Sequence, residues 1–197
     1  MLTEEEQQEL LRIAKQSIET AMRKRHPIRS ASSSSSYERS EGLAQASLRG
    51  RLSTPGGAFV TLRIGGELRG CIGYIESPLP LGQTVEEVAE KAAFEDPRFP
   101  PLTPGELPGV RLEISVLSPL QRVTDVAEIQ VGVHGILLAL GRCRGLLLPQ
   151  VATEYGWDRV KFLESTSRKA GLAGDAWRTP AAEIYIFTAE IVEEHHG

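Results

Sequence analysis

Apolar residues recur at helical spacing near the start of the chain and again before its middle. Residues 3–25 are predicted to form an amphipathic helix, because Thr3 and Glu6 match a capping box ahead of an apolar stripe. Thr84 and Glu87 match a second capping box, which predicts a helix that ends before the next proline. The stripe of the first helix consists of Leu10, Ala14, Ile18 and Met22.

The last third of the chain combines helical and strand patterns. Residues 149–155 predict one or two helical turns. A longer helix is predicted to begin after an N-cap at Asp158 and to end at Gly171, a suitable C′ residue. Residues 183–193 alternate between apolar and polar side chains and predict one closing strand. The side chains expected on one face of that strand are Tyr185, Phe187, Ala189 and Ile191.

Two pairs of strand-like runs are each separated by a short turn that contains glycine. Residues 59–64 and 67–72 flank two consecutive glycines, and glycine adopts positive φ at no steric cost, so a tight hairpin is predicted. Residues 136–140 and 143–148 flank a Gly-Arg turn and predict a second hairpin. Val110–Leu117 alternates cleanly and predicts a half-buried strand between the two hairpins.

Helices and hairpins do not alternate here as β-α-β units. The pattern therefore predicts an α+β fold with a largely antiparallel sheet, hairpins and flanking helices. Residues 30–41 are serine-rich and predict a flexible loop, because such a segment buries too little apolar surface to offset the cost of ordering.

Composition narrows the classes of protein to consider. The chain has 197 residues and a net charge of -4, which argues against a general nucleic-acid-binding surface. No apolar run approaches the roughly 20 residues of a membrane helix, and the N-terminus has no signal-peptide pattern. Cys71 and Cys143 are too few for a disulfide framework and are expected to be reduced thiols. We therefore expect a cytoplasmic protein.

The first hairpin carries the densest candidate chemistry of the chain. Cys71 lies between Gly70 and Gly73, and Arg69 precedes it by two residues. An uninterrupted ladder across the glycine turn would place Leu62 opposite Arg69 and Val60 opposite Cys71, with Arg69 and Cys71 on one face. Glycines beside a strand thiol indicate a bulge or the close approach of another backbone or a ligand.

Each of these side chains has a functional and a purely structural interpretation. Cys71 is either a nucleophilic or ligand-binding thiol, with its pKa lowered by a nearby cation, or a small buried hydrophobe. Arg69 is either an anion clamp or a solvated or paired arginine. Glu95-Asp96 could bind a metal or act as an acid, or could cap a turn. No metal site and no organic cofactor is indicated, and the terminal pair His195-His196 lacks further ligands.

The residues that surround Cys71 resemble the signature of the AMMECR domain family. The similarity extends over nearly the whole chain apart from the serine loop and the tail, so that residues 1–197 are interpreted as a single domain. Six blocks carry the resemblance in order: Leu68–Gly73, 92–102, 113–118, 132–135 with 144–152, 156–158, and 169–172.

This resemblance implies a two-lobed α+β fold, and a chain of this size resembles the prokaryotic branch of the family called AmmeMemoRadiSam system protein A. It implies partners, namely a Memo-like protein and a radical SAM protein, and it supplies no established reaction. The family often carries a second cysteine in the helix before the last block, where this chain has Ser167. Cys143 is not part of the family pattern.

Two functions of different classes follow from these residues. In the first, a cleft between the lobes holds a small anionic ligand, with Cys71 as nucleophile or acid and Arg69 as anchor. His134 is then a candidate base or a hydrogen-bonded turn residue, and Arg144 either helps Arg69 to hold the anion or pairs with a local carboxylate. Glu67 and Glu113 are the carboxylates considered for such pairs. In the second function, the chain is a non-catalytic interaction or regulatory module.

Overall fold

The computed structural model describes residues 1–27 and 50–194 of the chain. The predicted serine-rich loop at residues 30–41 lies outside these residues. The chain divides into two compact units: Met1–Val116 with Ile191–Gly197, here called unit 1, and Leu117–Glu190, here called unit 2. Each unit has its own sheet and its own hydrophobic core.

The described residues of unit 1 form a four-stranded sheet and two α-helices. The strand order is β2-β1-β3-β8, so that β2 and β8 are the edges of the sheet. Its buried core joins side chains of both helices to those of β1 and β3. The elements are α1 (Glu4–Arg25), β1 (Ala58–Ile64), β2 (Glu67–Tyr74), α2 (Leu81–Phe94), β3 (Val110–Leu117) and β8 (Ala189–Glu193).

Unit 2 repeats the plan with a second four-stranded sheet, in the order β4-β7-β5-β6. Every strand pair for which the structure gives a register is antiparallel. The predicted α+β class with antiparallel sheets is therefore confirmed. The elements are β4 (Gln121–Val123), β5 (Gly135–Leu140), β6 (Cys143–Leu147), α3 (Pro149–Glu154), α4 (Arg159–Lys169) and β7 (Glu183–Phe187).

Two of the three predicted N-cap residues are confirmed. The hydroxyl of Thr3 accepts a hydrogen bond from the Glu6 N–H, and the Glu6 carboxylate accepts one from the Thr3 N–H. Asp158 accepts from the Lys161 N–H at 2.7 Å and starts α4. Gly171 ends that helix with φ of 76°, as predicted for a C′ residue.

The predicted capping box at Thr84 is wrong, because α2 begins three residues earlier, at Leu81. Pro80 precedes the helix with φ of -49°, and its fixed φ is suited to a helix start. Thr84 is fully buried, and its hydroxyl donates to Ser77 Oγ at 2.9 Å, which ties the helix to the loop before it.

The single closing strand predicted over residues 183–193 is also wrong. The segment forms β7 and β8, which belong to different sheets. Thr188 separates them, and its N–H and C=O bond to the hydroxyl and the N–H of Ser118 instead of continuing a ladder. The buried side chains of β7 include Ile184 and Ile186, while Tyr185 is only half-buried. None of the described helices is long and apolar enough to cross a membrane.

Candidate functional site

The first hairpin turns where the sequence predicts, but its register contains a β-bulge. Gly65 and Gly66 both have positive φ, as the tight turn requires. The ladder then shifts by one residue, so that Leu62 pairs with Gly70 and leaves Arg69 as the extra residue. The predicted register, with Leu62 opposite Arg69, is therefore wrong.

The bulge places Cys71 opposite Thr61, where the uninterrupted ladder would have placed it opposite Val60. Val60 is fully buried in the core of unit 1, and the bulge lets the apolar Ile72 take the place opposite it. Because buried faces set strand register, this pairing keeps Cys71 off the core face. The thiol lies on the same face of the sheet as Thr61.

At the open edge of the sheet, a carboxylate that follows α2 binds the backbone of Cys71. β2 is an edge strand, and the Cys71 N–H donates to Asp96 Oδ2 at 2.9 Å. The Asp96 side chain is only 2% exposed and accepts three more hydrogen bonds, all from Arg98. These bonds, chiefly those from the Arg98 guanidinium, hold the pKa of Asp96 well below its usual range.

Arg98 completes this edge contact and also reaches solvent. Its Nη2 donates to Asp96 Oδ2 at 2.7 Å and to the Cys71 carbonyl at 3.3 Å. The guanidinium lies 5.5 Å from the centre of the Phe99 ring. The side chain is 52% exposed, and its Nη1 donates no hydrogen bond to the residues that the structure describes. Within residues 1–27 and 50–194, one nitrogen of this half-exposed guanidinium is therefore left without a hydrogen-bond acceptor.

The thiol of Cys71 is half-buried, and its pKa is raised. Burial is the largest cause, and the charges of Asp96 and Glu113 act in the same direction. The Thr61 hydroxyl, which donates to Sγ at 3.2 Å, and the Arg98 charge lower the pKa by less. Of the two interpretations of Cys71, the raised pKa favours the buried neutral thiol over a thiol activated by a nearby cation, and Arg69 is not among the groups that shift this pKa.

Arg69 is engaged elsewhere. Its Nε and Nη2 donate to the two carboxylate oxygens of Glu106 at 2.8 and 3.2 Å, and its side chain is 12% exposed. Arg69, with further hydrogen bonds from Thr103, lowers the pKa of Glu106 to about 2. The carboxylate that pairs with Arg69 is thus Glu106 and neither Glu67 nor Glu113, the two carboxylates considered from the sequence.

The two glycines beside Cys71 are explained by packing inside unit 1. A Cβ at Gly70 would collide with the carbonyl oxygen of Ala92 in α2, and a Cβ at Gly73 would collide with the ring of Phe59. The close approaches expected at these glycines are therefore made by the protein itself. Their predicted role in ligand binding stays a prediction.

The remaining predicted site residues, His134 and Arg144, belong to unit 2. His134 Nδ1 accepts a hydrogen bond from the Gln130 N–H at 3.2 Å, as the turn interpretation of this histidine predicts. Arg144 is exposed on β6 beside Gly145, which packs against the backbone of α4. Ser167 is fully buried and donates to the Leu163 carbonyl. The catalytic pairing of Cys71 with His134 stays a prediction.

The sequence interpretation missed the contribution of Asp96 and Arg98 to this site. Of the interpretations of Glu95-Asp96, the turn cap agrees with the structure, since Asp96 accepts a hydrogen bond from the Arg98 N–H two residues later. It lies 25 residues from Cys71, and no local periodicity connects the two. The available signal was the resemblance itself, since both residues belong to the block at residues 92–102.

Comparisons with known proteins agree with the resemblance. The model of the AMMECR1 family matches residues 11–192. A relative from Methanothermobacter thermautotrophicus is 49% identical over 144 residues, which cover 70% of this chain and 75% of the relative. A relative from Methanopyrus kandleri is 44% identical over 153 residues, which cover 73% and 74%. The crystal structure of an uncharacterised protein from Pyrococcus horikoshii has a TM-score of 0.78 and 34% identity, and the match covers 95% of this chain and 90% of that one.

Proposed function

This chain belongs to the AMMECR1 family, and we propose that it binds a small oxyanion, a carboxylate or a phosphate, beside Cys71, with Arg98 as the anchor. The observation that carries the proposal is the hydrogen bonding of the Arg98 guanidinium. Asp96 and the Cys71 carbonyl engage two of its nitrogens and fix its position, while Nη1 lacks a partner among the described residues. A fixed guanidinium with a free N–H edge suits an oxyanion.

The neutral state of the Cys71 thiol supports this ligand class. A thiolate would repel an oxyanion, and the raised pKa keeps the proton on the sulfur at neutral pH. The Thr61 hydroxyl donates to Sγ, which leaves the proton of the thiol available as a weak hydrogen-bond donor. In this proposal Cys71 acts as a donor or an acid and is not a preformed nucleophile.

The charges around the thiol set the expected strength of binding. Asp96 is paired with Arg98, and Glu113 lies 3.8 Å from Arg63. Each of these carboxylates pairs with an arginine, so the site carries no large excess of positive charge. The attraction for an anion then comes from the free N–H edge of Arg98. We therefore expect an affinity of about 1 mM for simple anions.

Alkylation of Cys71 by the uncharged reagent iodoacetamide tests this proposal. In a Cys143→Ser protein, the alkylation rate should keep rising above the free-thiol pKa of about 8.5, because burial raises the pKa of Cys71. Phosphate or acetate at about 10 mM should slow the reaction several-fold. Sodium chloride at the same ionic strength should not, and mass spectrometry of the modified peptide measures the rate.

A matched pair of arginine variants separates the anchor from its neighbour. Arg98→Ala should abolish protection by phosphate and raise the pKa of Cys71 further, since a cation that lowers it is removed. Arg69→Ala should preserve protection, because the Arg69 guanidinium is committed to Glu106. A thiol that reacts only after unfolding, or a reaction that no anion slows, would refute the oxyanion site.

We propose further that this site works together with a Memo-like protein and a radical SAM protein, the partners that the resemblance implies. The support for these two partners is the resemblance to the family alone. Size-exclusion chromatography of the purified proteins at micromolar concentration should yield a complex that contains this chain. Lack of association would remove the partners from the proposal and leave the ligand site standing. A complex that forms although Cys71 is inert would favour the alternative, a non-catalytic interaction module.

A further inference from the structure

A second candidate site lies elsewhere in unit 1, on the surface that joins α1 to the beginning of β3. A groove of about 250 Å³ opens there, and we call it the Lys15–Arg111 groove. Its apolar wall includes Ile18 and Leu112, which are buried, and Leu107, which is half-buried against the core. A volume slightly below the usual range of about 300–1,000 Å³ suits a small ligand.

Two cations and one carboxylate meet at the rim of this groove. Lys15 Nζ lies 3.6 Å from one oxygen of Glu194, and Arg111 Nη1 lies 3.9 Å from the other. Both distances exceed the roughly 2.7–2.9 Å of a charge-assisted hydrogen bond. The side chains of Lys15 and Arg111 are 62% and 58% exposed. The two cations are thus loosely held and able to take another acceptor.

The balance of charge at the rim favours an anion. Lys15 and Arg111 together carry two positive charges, and Glu194 supplies one negative charge. The other carboxylate that lines the groove, Glu19, lies 3.4 Å from Arg23 on the same helix. Counted together with Arg23, the described residues at the groove carry three positive and two negative charges, which leaves one positive charge beside an apolar wall.

We propose that the Lys15–Arg111 groove binds an amphipathic monoanion, namely a small carboxylate with an apolar body. The carboxylate would take the charge-assisted hydrogen bonds that Glu194 does not make with Lys15 and Arg111, while the apolar body covers the half-buried Leu107 and Val110. Removal of apolar surface from water favours such a ligand over a bare anion. The proposal is independent of the oxyanion site at Cys71.

Calorimetric titration of the full chain with octanoate tests the proposal. Octanoate should bind saturably with a dissociation constant of about 1 mM or tighter. Octanamide lacks the charge and acetate lacks the apolar body, so each should bind about tenfold or more weakly. Arg111→Ala and Lys15→Ala should each weaken octanoate binding about tenfold, the loss typical of one charge-assisted hydrogen bond.

The control variant is Lys24→Ala, which removes an exposed lysine of α1 that does not line the groove. It should bind octanoate as the unchanged protein does, and all three variants should retain phosphate protection of Cys71. Absence of saturable octanoate binding, or equal binding of octanamide, would overturn the proposal. A dimer in sedimentation that dissociates in the Arg111→Ala protein would also overturn it, because a second copy would then cover the groove.

Discussion

A Gly70→Ala protein is expected to lose about 3 kcal/mol or more of unfolding free energy. The added Cβ would lie well under 3.0 Å from the carbonyl oxygen of Ala92, so strand or helix would have to move. Overpacking of a well-packed core typically costs about 1–3 kcal/mol, and here the obstacle is backbone in the middle of a helix–sheet contact. The midpoint of urea unfolding, followed by circular dichroism, measures the loss.

The control for this prediction is Gly105→Ala. Apart from its two chain neighbours, no atom of the described residues would lie within 4 Å of a Cβ at Gly105, and its φ is not positive. Its stability should stay within about 0.5 kcal/mol of that of the unchanged protein, or rise slightly because alanine restricts the unfolded chain. If the two variants unfold at the same urea concentration, the packing explanation for Gly70 fails.

The close packing of Gly70 against a helix has a counterpart in the second hairpin. In both, an Arg-Gly pair lies in the returning strand, and the glycine packs against helix backbone: Gly70 against Ala92 of α2, and Gly145 against Thr166 of α4. Each glycine lets a helix approach its sheet closely. The shared glycine is thus accounted for by helix–sheet packing within each unit.

Local chemistry allowed much of the fold to be predicted. The capping box at Thr3, the N-cap at Asp158 and the glycine turn of the first hairpin each depend on a few neighbouring residues, and all three are confirmed. The α+β class followed from the order of such elements. In these cases the signal and the structure it causes lie within one or two turns of chain.

The failures occurred where distant contacts decide the structure. The bulge at Arg69 is set by the need to pair Ile72 with the buried Val60. The neighbouring glycines indicate a bulge as one of two possibilities, but the alternation of each strand does not give its position. The division of the last strand at Thr188 has no glycine or proline to mark it, and the bonds to Ser118 across 70 residues produce it. Register and sheet membership are tertiary properties.

The candidate site shows the same difference between local signals and distant contacts. Cys71 was identified because its unusual neighbours lie next to it in the sequence. Asp96 and Arg98 act on it from beyond α2, and their ion pair also blocks the N–H and C=O that an edge strand would otherwise expose at Cys71. The nearest arginine in sequence, Arg69, is engaged with Glu106, so proximity along the chain pointed to the wrong cation.

The Asp96→Asn protein is expected to lose about 3 kcal/mol of unfolding free energy at pH 7. The amide keeps the shape of the carboxylate but removes the charge that the four hydrogen bonds from Cys71 and Arg98 require, at a side chain that is 2% exposed. Removal of one partner of a buried pair typically costs about 3–5 kcal/mol. The lower end applies here, because Arg98 is half-exposed and can regain water. Urea unfolding measures the loss.

The pH dependence of stability supplies a second measure of the same carboxylate. The pKa of Asp96 is lower in the folded protein than its unfolded value of about 3.9, so its stabilising effect is complete above that value and is lost as the pH falls below it. Unfolding free energy of the unchanged protein should therefore begin to fall near about pH 5 and continue to fall below about pH 3, until Asp96 is protonated in the folded protein as well, by up to about 1.4 kcal/mol per pH unit for this group. The unfolding free energy of Asp96→Asn should not show this part of the pH dependence. The contribution of Glu106 to the pH dependence should be the same in both proteins.

The neighbouring Glu95→Gln variant is the control, because Glu95 is exposed and its change should cost no more than about 0.5 kcal/mol. A further readout connects Asp96 to the thiol. Its negative charge raises the pKa of Cys71, so Asp96→Asn should shift the alkylation profile of Cys71 to lower pH while Glu95→Gln should not. Equal stability and equal alkylation profiles in the two variants would mean that Asp96 neither holds the strand edge nor influences the thiol.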